Sequence, residues 1–270
     1  MKTKLSIIIP SLNEKYYLPK ILSYIKEQRQ KNIEVIIANG GKFKKIREIG
    51  RSFGARVVDI PIKNPAYARN QGAKASKGEI LLFLDADVFL PKDFLSQILK
   101  NFEERKLDIA GVYAKPSSKK LFDKIFWKFY NFALFVMKFI RPEASGFCIL
   151  CRRTLHEKIN GYDETITYRE DADYTSRASR YGKFGLLKPE IIVSVRRFDE
   201  EGRIKLLWKY IKLAFLGFFR TIRGDVGYHF GIYKEKMKKA YKHPVRTTKK
   251  VIKGMAKSTK ELFSQTNDTS

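Results

Sequence analysis

The chain has 270 residues, 44% of them hydrophobic, so it is long and apolar enough to bury a full core and is not a disordered polymer. Its 55 basic residues against 28 acidic ones leave a net charge of +27, which predicts a polyanionic partner: nucleic acid, anionic lipid or a phosphorylated substrate. Two cysteines are too few for a disulfide framework, and the absence of any run of about 20 uncharged apolar residues argues against a transmembrane helix. Met1-Lys2-Thr3-Lys4 leads straight into strand-like sequence, so no signal peptide and a cytoplasmic location are expected.

In chain order, Leu5 to Ile9 reads as a strand stopped by Pro10, and Asn13 as the cap of a helix from about Tyr16 to Gln30. Glu34 to Ala38 is a second strand, ended by Asn39-Gly40-Gly41. A basic helix reaching about Phe53 leads to a third strand, Ala55 to Ile60, then a helix from about Pro65 to Ser76 closing at Gly78. Ile80 to Leu84 is the fourth strand; its apolar run has the pattern of a strand buried on both faces. This alternation predicts an α/β fold with a mainly parallel sheet and helices on both faces. Further on lie a helix from Pro91 to Glu104, strands near Ile109 to Ala114 and Phe147 to Cys151, a helix from Tyr174 to Tyr181 ended by Gly182, and a last strand from Ile191 to Val195. Cys148 and Cys151 sit on a strand with their thiols on opposite faces and lack a second pair, which makes them buried structural residues rather than zinc ligands.

The fourth strand ends abruptly in Asp85-Ala86-Asp87. Ligands of open α/β sheets bind at the carboxyl ends of strands, so two acids there in so basic a chain point to a divalent cation carrying a diphosphate. The bland alternative is an acid pair capping the helix near Pro91. Downstream, Arg169-Glu170-Asp171-Ala172-Asp173 is either a functional acidic cluster or negative charge on the first turn of a helix. His156 and His243 sit in polar surroundings without evident partners.

Four segments read together carry a resemblance. They are Ile9-Pro10-Ser11-Leu12-Asn13-Glu14, Ala68-Arg69-Asn70-Gln71-Gly72 with Ala75 to Glu79, the Asp85-Ala86-Asp87 strand, and Arg169 to Tyr174; Ser145-Gly146-Phe147 and Gly161-Tyr162-Asp163-Glu164 add to them. Over roughly residues 4 to 200 the chain resembles glycosyltransferase family 2 enzymes of the GT-A fold. The resemblance implies an inverting transfer of sugar from a nucleotide diphosphate. In it Asp87 is a ligand of Mg²⁺ or Mn²⁺, Asp85 contacts the ribose or sugar, Asp171 is the base and Glu170 lies beside it on the acceptor side. Arg69 contacts the nucleotide base or diphosphate, or else is an exposed helix arginine, and Pro10, Leu12 and Glu14 wrap the base and ribose. Asn39 stands where the family usually has an acid reading the donor base, which leaves UDP or GDP open. The Gln-x-x-Arg-Trp motif of processive synthases is missing, so a single addition is expected; Arg196 and Arg197 near that place hold a diphosphate or acceptor phosphate, or face solvent. His229 is an additional metal ligand or a packing residue.

Two segments mix large apolar side chains with lysines, residues 121–140 and 203–223. The second has the pattern of a helix lying in a membrane interface; the first fits it less cleanly, and both can instead pack in the core or in an oligomer. The expected organisation is a GT-A domain over 1–200, an amphipathic segment over 201–233, and a basic, partly disordered tail over 234–270. The expected enzyme is peripheral at the inner face of the cell membrane, with a lipid-linked or saccharide acceptor. The competing reading is a polyanion-binding protein on an inactive scaffold, although no helix-turn-helix, zinc-finger or RNA-recognition motif supports a specific nucleic-acid partner.

Overall fold

The computed structural model describes residues 4–12, 14, 16–41 and 44–208, all within the unit Met1–Gly231; a second unit, Ile232–Ser270, lies outside them, as do Asn13, His229 and His243. One sheet is built from β1 (Leu5–Ser11), β2 (Ile33–Asn39), β3 (Arg56–Asp59), β4 (Ile80–Leu84), β5 (Val88–Phe89), β6 (Ile109–Pro116), β7 (Cys148–Arg152) and β8 (Phe184–Val193). Their order is β3-β2-β1-β4-β7-β6-β8-β5. The first four run parallel, as expected, but β7 is antiparallel to both β4 and β6, β5 is antiparallel to β8, and only β6 and β8 pair in parallel in that half. The register Leu84↔Cys148 places the start of β7 at the carboxyl edge of β4.

Period-two alternation buries both faces of the central strands. Ile7, Ile9, Leu82 and Leu84 face one cluster, with α1 (Leu18–Glu27), α4 (Phe94–Glu104) and Trp127 of α5 (Leu121–Ile140). Ile8, Leu81 and Phe83 face the other, with α3 (Pro65–Ala75), α6 (Arg153–Lys158) and α7 (Glu170–Ala178). The two thiols divide between the clusters, Cys148 into the first and Cys151 into the second, as strand alternation requires. The remaining helices are α2 (Lys44–Ser52) and α8 (Arg196–Glu201); residues 203–208 are helical again, and 209–223 of the expected amphipathic segment are outside the described residues. A Cβ on Gly72 would lie 2.3 Å from Ile8 Cγ2, so only glycine lets α3 seat this closely on β1.

Several boundaries differ from the sequence reading, each for a local reason. Pro10 does not stop β1: it pairs with Ala38 of β2, while pairing to β4 has already ended at Ile8↔Phe83, so its missing amide costs no ladder bond on that side. Helix α1 starts later and ends earlier, with Tyr17 at its N-cap. Asp93 adopts a left-handed conformation (φ 56°), which delays α4 to Phe94 and excludes Asp85 and Asp87 as its caps. Arg169 is also left-handed (φ 63°), just before α7, which begins at Glu170, ahead of the expected Tyr174, and ends at Ala178. Strand β8 begins at Phe184 and ends at Val193.

His156 is not in polar surroundings. Its neighbours Arg153 and Glu157 project elsewhere on α6, while the imidazole is buried, with Nδ1 2.9 Å from the Tyr174 hydroxyl and the ring tilted against Phe83 at 5.5 Å. Burial, with Arg153 and Arg177 adding, pushes its pKa down to about 4. An unfolded chain protonates this group below about 6.5. Its contribution is therefore complete above that pH and is lost as pH falls toward 4. Replacing His156 with Gln should shrink the stability difference between pH 7 and pH 4.5 by about 2–3 kcal/mol, read from urea midpoints.

Candidate active site

The carboxyl ends of β1 to β4, the start of β7 and the first turn of α7 meet at one edge of the sheet. Asn64 caps α3 by accepting the Tyr67 amide at 3.0 Å, Pro65 opens the first turn, and Arg69 follows one turn later. Arg69 is 2% exposed, so it is no surface arginine. Its Nη1 donates to Glu170 Oε1 at 2.7 Å and its Nη2 to Asp85 Oδ1 at 3.2 Å, with the guanidinium 5.4 Å from the Tyr162 ring centre. Tyr162 in turn stacks on Tyr174 at 3.9 Å. Burial alone would lower the Arg69 pKa, but Asp85, Tyr162, Glu170 and Asp171 together hold it above the usual range. Burial pushes Asp85 up to about 7 against the pull of Arg69, with Asp87, Glu170 and Asp171 adding to the rise. Glu170 is raised by burial as well, opposed by Arg69. The neighbouring Asn70 ties down the 160s loop: its amide exchanges hydrogen bonds with the Tyr162 backbone at 2.9 Å in each direction and donates to Glu164 Oε1 at 2.8 Å.

Asp171 is fixed by backbone donors. Its Oδ2 accepts the Gly146 amide at 2.5 Å and its Oδ1 the Ala172 amide at 2.8 Å. A Cβ on Gly146 would fall 2.7 Å from Arg69 Nη2 and 3.2 Å from Asp171 Oδ2, so this approach requires glycine. Thr175 Oγ1 donates to the Asp171 carbonyl at 2.8 Å and accepts the Ala144 amide at 3.1 Å, and Arg169 pairs with the buried Glu143. These bonds clamp residues 143–146 onto the start of α7. Sequence reading missed the Glu143–Arg169 pair, because its halves lie in two loops of no regular period.

Asp87 and Glu14 meet through Arg196, at the start of α8. Arg196 Nη2 lies 3.1 Å from Asp87 Oδ2, Nη1 lies 3.5 Å from Glu14 Oε2, and the guanidinium covers the Tyr17 ring at 4.6 Å. Arg196 is 4% exposed; of the two fates open to it in the sequence, facing solvent is excluded. Burial raises Glu14, with Arg196 lowering and Asp87 raising it. Pro10 and Leu12 close the end of β1; Leu12 is buried against Gly40, and Ser11 Oγ is buried without a hydrogen-bond partner, the kind of group a ligand satisfies.

Asn39 does not present its amide outward. Its Nδ2 donates to Asp59 Oδ1 at 2.7 Å and to the Gly41 carbonyl at 3.0 Å, and its Oδ1 accepts the Gly41 amide at 3.2 Å. The half-exposed carboxylate beside it is Asp59, at the end of β3 and bonded to Arg47 Nε at 2.8 Å. Partial burial pushes Asp59 up, but Arg47 and Asn39 outweigh it and hold the carboxyl below its usual value. The strand pairing Asn39↔Asp59 is the signal that would have found it.

Residues 6–160, more than half of the chain, match the profile of glycosyl transferase family 2. The chain belongs to that family. It is 29% identical over 161 residues to glycosyltransferase GlyA of Streptococcus pneumoniae, a match covering 54% of this chain and 23% of GlyA. Among solved structures, mannosyltransferase PcManGT of Pyrobaculum calidifontis, in complex with GDP-Man and Mn²⁺, superposes with a TM-score of 0.60 at 18% identity, over 72% of this chain and 57% of that one. TarS of S. aureus, residues 1–349 with UDP-GlcNAc, gives 0.56 at 20% identity, over 71% and 58%. The chain thus spans less than two thirds of each. At these identities the structures establish the GT-A fold, matched here by the mixed sheet with helices on both faces.

Family 2 membership raises the question of a divalent cation. Among the described residues no three His, Cys, Asp or Glu side chains gather as a complete metal cage. Asp87 nevertheless offers hard carboxylate oxygen at the strand edge, already facing one cation in Arg196, while the thiols and His156 are buried elsewhere. Among the described residues this carboxylate oxygen suits a hard Mg²⁺ or Mn²⁺ ion better than zinc. The Arg69 pairing gives a stability test. Arg69→Met leaves Asp85 and Glu170 buried without their cation and should cost about 3–5 kcal/mol in urea unfolding, whereas Arg69→Lys, able to serve one carboxylate well, should cost clearly less.

Proposed function

We propose that this family 2 chain transfers a glycosyl group from a UDP- or GDP-linked donor to a hydroxyl or phosphate oxygen of a lipid-linked or saccharide acceptor, by single displacement with inversion. The observation that carries the reading is Asp171, held by two backbone amides beside the Arg69-paired acids at the end of β4. Asp171 takes the acceptor proton as that oxygen bonds to the anomeric carbon, and the bond from that carbon to the diphosphate oxygen breaks on the opposite side. No second carboxylate is needed as a nucleophile, because Glu170 is engaged with Arg69 and serves to position it.

Donor binding falls to the strand ends. Pro10, Leu12 and Glu14 line the nucleoside side, Asp85 meets ribose or sugar, and Asp87 holds the cation. Arg69 and Arg196 add positive charge where the diphosphate lies, Arg69 through the field it shares with Asp85 and Arg196 by moving from Asp87 onto phosphate oxygen. Mg²⁺ or Mn²⁺, when bound, supplies positive charge against the leaving diphosphate. Asn39 acts on the base together with Asp59, whose carboxylate accepts its Nδ2 at 2.7 Å. The bound GDP-Man of PcManGT and UDP-GlcNAc of TarS support a nucleotide-sugar donor and leave the base open. The enzyme is cytoplasmic and works at the inner face of the membrane.

Asp171→Asn keeps the size of the side chain and one of its two amide contacts but cannot accept the proton. Transfer measured as nucleoside diphosphate release should fall by about 10³-fold or more, with donor affinity unchanged. Near-normal turnover in this variant would remove Asp171 from the reaction.

A further inference from the structure

Helix α5 is built inside out. Two of its polar side chains face the protein: Asp123 is fully buried and takes Arg203 Nε and Nη2 at 2.8 and 2.9 Å, and Asn131 exchanges bonds with the Ala114 backbone at 3.0 and 2.8 Å. These two share the inner stripe with Trp127 and Leu134. The opposite side carries Leu121, Ile125, Phe129, Phe132, Val136 and Phe139, all exposed, Phe129 by 70% and Phe139 by 69%. At 100° per residue these six fall within one outward sector, a continuous apolar strip along a helix of 20 residues. A contiguous surface of this kind marks a site of association.

The charges beside the strip choose the occupant. Lys119, Lys124 and Lys128 are exposed at its start and along one margin, Lys120 lies 3.8 Å from Asp199, and Lys138 Nζ sits 5.1 Å from the Phe139 ring centre. The helix's only acid is the inward Asp123. A second copy packed on this face would bring lysines with no exposed acid of α5 to receive them, whereas anionic lipid meets both the apolar strip and its basic margin. No helix among the described residues is long and apolar enough to cross a membrane, so α5 would lie in the plane of the interface. We infer that the outer face of α5 docks this chain onto an anionic lipid bilayer.

The docking face and the active site share a wall. Trp127 packs on Phe147 at 6.3 Å, and the Phe147 carbonyl accepts the Asp85 amide at 3.2 Å. Phe126 packs on Phe198 at 5.0 Å, two residues beyond Arg196. Presentation of a lipid-borne acceptor to Asp171 rests on the transferase reading; docking itself does not.

The test uses the full chain with Phe132→Cys labelled by an environment-sensitive NBD fluorophore. Cys148 and Cys151 are buried and stay unlabelled. With phosphatidylcholine vesicles containing phosphatidylglycerol, NBD emission should shift to the blue and the protein should float with the vesicles; neutral phosphatidylcholine vesicles should give little of either. Phe129→Ser with Phe139→Ser should reduce partitioning about tenfold or more, while the unfolding midpoint and nucleoside diphosphate release with a soluble acceptor stay as in the parent. An unshifted label on anionic vesicles, or equal binding to neutral ones, overturns the proposal. So does emission already blue without vesicles, which means a second copy if it depends on protein concentration and residues 209–270 if it does not. Vesicle binding without donor turnover would leave docking standing and defeat the transferase reading instead.

Discussion

Arg69 and Arg196 reach the carboxyl edge of the sheet from elements on opposite faces and neutralise acids that could not otherwise share so small a space. Arg69 joins Asp85 to Glu170, and Arg196 joins Asp87 to Glu14. Breaking either pair would strand charge in a poorly solvated site, which costs far more than such a pair contributes when whole. Together the two arginines tie β4, the loop after β1, α3, α7 and α8 into one constellation. Among the described residues these carboxylates still outnumber the buried guanidiniums, and burial holds Asp85, Glu14 and Glu170 above their usual pKa values. In a chain of net charge +27, this edge is therefore locally short of positive charge.

Two close backbone approaches make the constellation possible. Gly72 seats α3 on β1, and from that position Arg69, one turn earlier, enters between β4 and α7. Gly146 lets its amide reach Asp171 while Arg69 passes beside it. The site is thus a packing problem solved by missing side chains as much as a charge problem solved by arginines. At the surface, α5 turns Asp123 and Asn131 inward onto Arg203 and β6 and leaves Phe129, Phe132 and Phe139 outside.

Most of the parallel half-sheet was readable in the sequence because strands buried on both faces leave uninterrupted apolar runs, and Ile80 to Leu84 is bounded as read. The acid pair was legible for the same reason: it ends such a run. Arg196 was noticed without its role, since nothing local to Arg196-Arg197-Phe198 reveals that a strand ending at Val193 delivers it to Asp87. The left-handed residue Asp93 delayed one helix start, because αL conformations in non-glycine residues carry little sequence signal, whereas α7 starts four residues before the expected Tyr174, in an acidic turn without apolar periodicity. His156 was misread from its charged neighbours, which occupy other positions around a one-and-a-half-turn helix. Asn39 was read alone, although its chemistry is set by Asp59, a strand partner distant in sequence.

In the proposed reaction Asp87 and its neighbours form a cation-assisted site for a nucleotide diphosphate. The direct measurement is a thermal-shift series of UDP- and GDP-sugars, each with and without Mn²⁺, on the parent chain and on Asp87→Asn. One nucleotide class should raise the midpoint by several degrees only with Mn²⁺, as expected for about 2–3 kcal/mol of linkage at 100-fold saturation, and the variant should lose that rise. No shift with any nucleotide, or an equal metal-dependent shift in the variant, would contradict the account.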